Sequence, residues 1–241
     1  MLWAGEPIDA YVGERRIALW RSSTAVGVWE VVDGPKALGE HLRSGVHKER
    51  WALRPAVRVW LSGALARPFL MSAVTGLKSW AEARAVAAKR FTQEGGQGGE
   101  SSIWLEELPL HGDVLGVAVA KSTLDALQQS VAGASMRATS VRPWWAFALD
   151  GVRDRLAEVE VVAIADTDSL VILASEAEQW REVVVHEPRP SGPQAEAAIR
   201  RQVVSAHACH PRVERARLVL PASGVAELKL HAEFVGSFEE E

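Results

Sequence analysis

Hydrophobic and polar positions along the chain fall into two passes of similar plan. Ile8 to Val12 leads through Gly13-Glu14 into Arg16-Ile17-Ala18-Leu19-Trp20, and Ala25 to Val32 follows. Strong β-formers separated by glycine and short polar breaks predict hairpins. Asp33-Gly34-Pro35 then stops the sheet and starts a short helix, with Pro35 at a tolerated first-turn position. Ala37, Leu38, His41 and Leu42 give that helix a partly apolar face. Residues 56–61 read as the next strand. Leu77, Trp80, Ala81, Arg84, Ala85 and Ala88 recur at helical spacing and predict a helix ending near Phe91. Residues 103–108 and 114–120 predict two more strands. Ser122 is placed to cap the helix that follows, with Leu124, Leu127 and Val131 as its buried stripe and Gly133 as its C-terminal cap. Residues 136–141 predict a return strand, 143–149 a short helix, and Asp150-Gly151 a break.

The second pass opens on Val159 to Ala165, a strand apolar except for Glu160 that ends on Asp166-Thr167-Asp168. Strands over 169–174 and 181–186 come next, and the break from Pro188 to Pro193 leads into a helix over 194–207. Ala195, Ala198, Ile199, Gln202 and Val203 share one face of it. Strands over 217–220 and 228–235 finish the pass, and Glu239-Glu240-Glu241 forms a solvated tail. Three strands, a helix and a strand, met twice, predict an α/β protein of two related lobes with mixed sheets and flanking helices. The first would span 1–150 and carry an inserted subdomain, and the second would span 151–241.

Composition narrows the function. A chain of 241 residues, 48% of them hydrophobic, can bury a sizeable core. The net charge is −4 with the cations dispersed, against the basic face of a nucleic-acid binder. The single cysteine, Cys209, excludes an internal disulfide and suits a reducing compartment. No apolar run approaches the ~20 residues that span a bilayer, and the first residues lack the basic start and apolar core expected of a signal peptide. The expectation is a cytoplasmic protein without direct membrane insertion. Ten tryptophans against one tyrosine read mainly as core packing.

Candidate chemistry is sparse. Gln93 to Glu100 holds four glycines, but it follows a helix and lacks the Lys-Ser/Thr of a phosphate loop, so it reads as a flexible connection. His207-Ala208-Cys209-His210 offers three metal-ligating side chains without a fourth, and reads instead as the end of a helix before Pro211. No metal is expected there. Asp166 and Asp168 share a strand face and suit either a metal or acid/base pair or ordinary turn chemistry. Trp144 and Trp145 follow Pro143 on adjacent helical positions about 100° apart. One of them should enter the core and the other could anchor a partner. No catalytic residue is assigned.

Residues Leu115 to Leu127, then Ala138 to Pro143, with Val159 to Leu173 and Glu176 to Val185, carry a resemblance. An apolar strand, a helix opening with a hydroxyl residue, and a strand running into proline resemble the actin-like ATPase superfamily. Within it the chain is most similar to the PilM-like and GspL-like cytoplasmic components of type IV pilus and type II secretion machines. The resemblance implies two RNase H-like lobes. In nucleotide-binding members each lobe opens with a hairpin bearing an Asp, which holds the metal or a water, and a Gly, which lets backbone N–H groups reach the phosphates. Gly13 matches that glycine, but Tyr11 stands where the acid belongs, Ala18 where a lysine is common, and Asp9 comes two residues early. Asp166 matches the second acid, while Asp168 replaces its glycine. The adenosine loop corresponds to Leu220-Pro221-Ala222-Ser223-Gly224, with one displaced glycine. Gly13, Asp166 and Gly224 would then be remnants of a cofactor site, with ATP and magnesium disfavoured.

The expected function is a non-catalytic scaffold. It would sit at the inner membrane by gripping the short cytoplasmic segment of an assembly protein, with homo-oligomers possible. The alternatives are an actin-like ATPase or small-molecule kinase with divergent loops, and an unrelated α/β enzyme using the acidic pair with a metal.

Overall fold

The computed structural model describes residues 6–22, 24–45, 55–93, 100–109, 112–151, 159–176, 179–209, 216–221 and 230–235. The glycine-rich stretch 94–99, the stretch 152–158 expected to divide the lobes, Gly224, His210 and the acidic tail lie outside them.

Two five-stranded mixed sheets carry the molecule. In the first, β1 (Ile8–Val12), β2 (Arg16–Arg21) and β3 (Thr24–Glu30) form an antiparallel meander. On its other side β1 pairs in parallel with β4 (Ala56–Leu61), which pairs in parallel with β8 (Arg137–Pro143). Between β4 and β8 the chain makes β5 (Ala66–Met71), helix α2 (Trp80–Gln93), β6 (Ser101–Leu105) and β7 (Val114–Ala120). These strands form a separate three-stranded sheet in the order β5-β7-β6.

One face of the first sheet is covered by α1 (Gly34–Gly45) and α3 (Lys121–Gly133). Leu38 and Leu42 of α1 and Leu127 and Val131 of α3 pack on Ile8, Ala10, Val12, Val57 and Val59. Helix α3 departs from its predicted ends. It begins at Lys121 after Ala120, and Ser122 makes no cap bond because it already lies in the first turn. Gly133 is the last helical residue, and Ser135 takes the left-handed turn (φ 59°). Helix α2 buries Ala83, Ala87 and Phe91, whereas Trp80, on the expected face, is exposed. Alanine stands on every side of this helix, so its pattern distinguishes faces poorly.

The second sheet has β9 (Val159–Ala165) in its centre, with β10 (Leu170–Glu176) and β11 (Gln179–His186) continuing antiparallel on one side. On the other side β12 (Ala216–Pro221) is parallel to β9. The last strand, β13 (Leu230–Val235), runs antiparallel to β12, where the corresponding pair of the first sheet is parallel. Only residues 222–229 join them, fewer than the dozen or so that a parallel crossover needs. Helix α5 (Pro193–Cys209) covers one face of this sheet through Ala198, Ile199 and Val203.

The faces opposite these helices meet. Tyr11, Trp20 and Trp60 from the first sheet pack with Val162, Ile164, Val171, Leu173 and Trp180 from the second. The short helix α4 (Trp144–Asp150) is wedged among them. Trp144 and Trp145 are therefore 1% and 3% exposed, and the expected partly exposed partner anchor is corrected: both are core. Trp145 further donates its indole N–H to the Ala66 carbonyl at 2.7 Å.

Candidate functional site

Strand β9 explains how the site is placed. Its side chains alternate, Val161, Ala163 and Ala165 toward α5 and Val162 and Ile164 toward the first lobe. Asp166 follows at the end of the strand, in a tight turn where Asp166 N–H donates to the Ser169 carbonyl at 3.0 Å. Its carboxylate closes that turn. Oδ1 accepts from the backbone N–H of Asp168 (2.9 Å) and Ser169 (2.7 Å). Oδ2 accepts from the Ser169 hydroxyl (3.0 Å) and from the backbone N–H of Gly63, just after β4, at 2.7 Å. Two carboxylate oxygens offer about four acceptor sites, and all four are taken. Burial pushes the Asp166 carboxyl above its ordinary value, and the three N–H donors and the hydroxyl oppose that rise.

The first hairpin turn faces this one. Strand β1 presents Asp9 and Tyr11 on the side away from α1 and α3. Asp9 is buried and held by Arg58 at 2.5 Å and by the Trp60 indole N–H at 3.0 Å, low on the strand and away from the turn. Tyr11 reaches across, its hydroxyl 2.7 Å from the Thr167 hydroxyl. Burial first, then the charges of Asp166 and Asp168, raise this phenol well above its ordinary range, so it stays neutral. Beyond Tyr11, the backbone N–H of Glu14 donates to Asp168 Oδ2 at 2.5 Å. A Cβ on Gly13 would stand 2.0 Å from that same oxygen, so only glycine admits the contact. Gly63 is equally confined, with the Ser169 hydroxyl 2.5 Å from where a Cβ would lie.

Around this junction Arg189 donates its guanidinium to the Asp166 carbonyl at 2.7 Å and its backbone N–H to the Asp168 carbonyl at 2.8 Å. Glu187 is raised from its ordinary value by burial, by the neighbouring Glu14 charge and by a hydrogen bond with Glu14 that favours the protonated form. Arg67 opposes that rise.

Of the residues singled out in sequence, Gly13, Asp166 and Asp168 come together here. Gly224 lies outside the described residues, as do the side chains of His207 and Cys209. Glu14, Gly63, Thr167, Glu187 and Arg189 join the junction without having been singled out. The one local signal was a glycine two residues after β4, the strand that lies parallel beside β1. No cluster of metal-ligating side chains occurs among the described residues.

Nucleotide and magnesium, which the resemblance implies, do not fit these residues. Asp166 has no lone pair left for a metal or its water. The N–H that would meet a phosphate meets Asp168, and no residue of β1 supplies an acid at Tyr11.

A second feature lies on the far side of α4. Trp104 and Leu105 of β6, Leu115 of β7, and Pro143, Trp145 and Leu149 line an apolar groove of about 240 Å3. Glu106 and Asp150 stand at its rim. Trp104 is 44% exposed.

No protein-family model and no curated protein sequence matches the chain. Solved structures do. A chain of the PilM-PilN type IV pilus biogenesis complex matches with 13% identity over 93% of this chain and 84% of its own, at a TM-score of 0.59. A Bacteroides thetaiotaomicron protein with an actin-like ATPase fold and unknown function matches with 14% identity over 92% and 83%, at 0.55. The cytoplasmic domain of EpsL, an inner membrane component of the Vibrio cholerae type II secretion system, matches with 12% identity over 76% and 71%, at 0.48. The fold is that of the actin-like ATPases.

Proposed function

We propose that the chain is a non-catalytic actin-like scaffold that holds a polypeptide partner in an inner-membrane assembly of the type IV pilus or type II secretion kind. The observation that carries this reading is the state of the interlobe space. Its mouth is occupied by bonds between the two turns, and the region behind is filled by an apolar core rich in tryptophan. A nucleotide-driven device of this fold needs a phosphate seat between lobes that can move as the seat fills. Here Asp168 occupies the first turn and side chains fill the space behind it, which supports a reading without nucleotide.

Binding of a polypeptide needs apolar anchors in a groove with a polar rim. The groove lined by Trp104, Trp145 and Leu149 supplies the apolar part, and Glu106 and Asp150 supply the rim. Cytoplasmic segments next to a membrane span are enriched in Lys and Arg, which suits that acidic rim. In this reading Trp145 contributes as the floor of the groove and Trp104 as its exposed aromatic. No helix among the described residues is long and apolar enough to cross a membrane. In this reading membrane proximity comes through the partner. The likeness in fold to a chain of the PilM-PilN complex supports a partner of this class.

The test pairs two measurements. Affinity capture from membranes of the native host should recover an inner-membrane protein with the wild type and lose it with Trp104→Ala at an unchanged Tm. Calorimetry with ATP and magnesium should show no binding. Micromolar nucleotide affinity or ATP hydrolysis would overturn the reading in favour of an actin-like ATPase or kinase.

A further inference from the structure

We infer that the backbone N–H of Glu14 forms an oxyanion seat in the first hairpin turn, and that its occupant is the Asp168 carboxylate of the second lobe. The carboxylate takes the place a phosphate would take and ties the lobes together as a built-in ligand.

The geometry around Asp168 is that of a held group. Its N–H is bonded to Asp166 Oδ1 at 2.9 Å and its carbonyl accepts from the Arg189 N–H at 2.8 Å, so the backbone is fixed on both sides. Its Oδ1 accepts from the Thr167 hydroxyl at 3.2 Å, which leaves Oδ2 for Glu14. The receiving turn is equally spoken for elsewhere. Gly13 N–H goes to the Arg16 carbonyl, the Glu14 carbonyl receives Gly34 N–H, and the Arg15 carbonyl receives Val31 N–H. The Glu14 N–H points out of the turn, and it meets the Asp168 carboxylate. Hydrogen bonds to charged groups are short and about twice as strong as neutral ones. Gly13 completes the seat, because any Cβ there would displace Asp168 Oδ2. A residue that spoils phosphate binding by its charge is thus the residue that satisfies the phosphate donor.

This inference rests on the same occupied junction as the proposed function, and its test reads Asp168 alone, whereas partner capture reads the groove beside α4, so the two failures are distinguishable. The experiment is chemical rescue of Asp168→Ala, followed by thermal unfolding in chloride, formate and inorganic phosphate at equal ionic strength. Loss of the charged bond should lower Tm by roughly 3–12 °C. Formate and phosphate should restore a large part of that loss, chloride should not, and the wild type should be indifferent to all three. An Asp168→Ala protein as stable as the wild type, or one whose loss no oxyanion restores beyond chloride, would overturn the inference. Should Asp168→Ala fail to fold, hydrogen exchange on the wild type decides. The Glu14 amide should be strongly protected at neutral pH, and exchange at the rate of a free peptide would overturn the seat.

Discussion

At the scale of single residues, the junction of the two turns is a crowd of acids. Glu14, Asp168 and Glu187 face one another with Arg67 as the opposing cation, and Asp166 lies buried beneath them. Glu187 carries the consequence. Its folded value lies above the ordinary 4.5, raised by burial first and by Glu14 second. A carboxyl raised in this way holds stability that is fully present below its ordinary value and is lost as pH rises through the folded one. Glu187→Gln removes the titration while keeping the shape and a donor toward Glu14. The variant should therefore match the wild type near pH 4 and exceed it in Tm at pH 7, with a flatter profile between. Asp166 contributes a loss of the same sign in both proteins, so the difference between the two curves isolates Glu187. A wild-type curve that rises relative to Glu187→Gln above pH 5 would contradict this account. In the sequence, Tyr11 and Asp168 were visible as departures from a phosphate site. Their partners were not, because Thr167 and Glu14 lie 156 and 154 positions away, and a departure says what is lost without saying what replaces it.

Among the elements, legibility followed contrast in the pattern. The apolar run Val161 to Ala165 of β9 is the mark of a strand buried on both faces, and helices and the other lobe cover it. The three-strand opening of each pass and the apolar face of α5 could also be read directly. Strand β5 could not, because Ala66-Arg67-Pro68-Phe69-Leu70-Met71 contains a proline. Proline is admitted where one side of a strand needs no ladder bond, and β5 stands at the edge of its sheet. Helix α4 was legible as a helix, but its surroundings were not. A seven-residue element with four buried side chains takes its environment from both lobes at once. Two tryptophans of different burial, Trp144 and Trp104, give a direct comparison. Trp144→Ala should cost about 3–5 kcal/mol by leaving a cavity between the lobes. Trp104→Ala, on the exposed side of the groove, should stay within about 0.5 kcal/mol. Urea unfolding of the two variants checks both figures, and equal losses would mean that Trp104 is also structural.

For the molecule as a whole, the plan of two lobes predicts a hinge, and the packing between them removes it. Trp20, Trp60, Trp144, Trp145 and Trp180 all lie in the core where the two sheets face each other. A buried tryptophan removes about 150–250 Å2 from water, worth roughly 4–6 kcal/mol each as an upper bound. Typical domains are stable by only about 5–15 kcal/mol in total. Separating the lobes would expose more apolar surface than either could tolerate, so neither should survive the melting of the other. The bonds across the cleft act in the same direction. The chain should therefore unfold in one transition, with calorimetric and van't Hoff enthalpies in agreement and near- and far-UV circular dichroism coincident. ATP with magnesium should leave that transition where it is, because a ligand raises Tm only by binding the folded state. Two resolved transitions would show that the interlobe core is weaker than its burial indicates, and the lobes would again be free to move as a hinge.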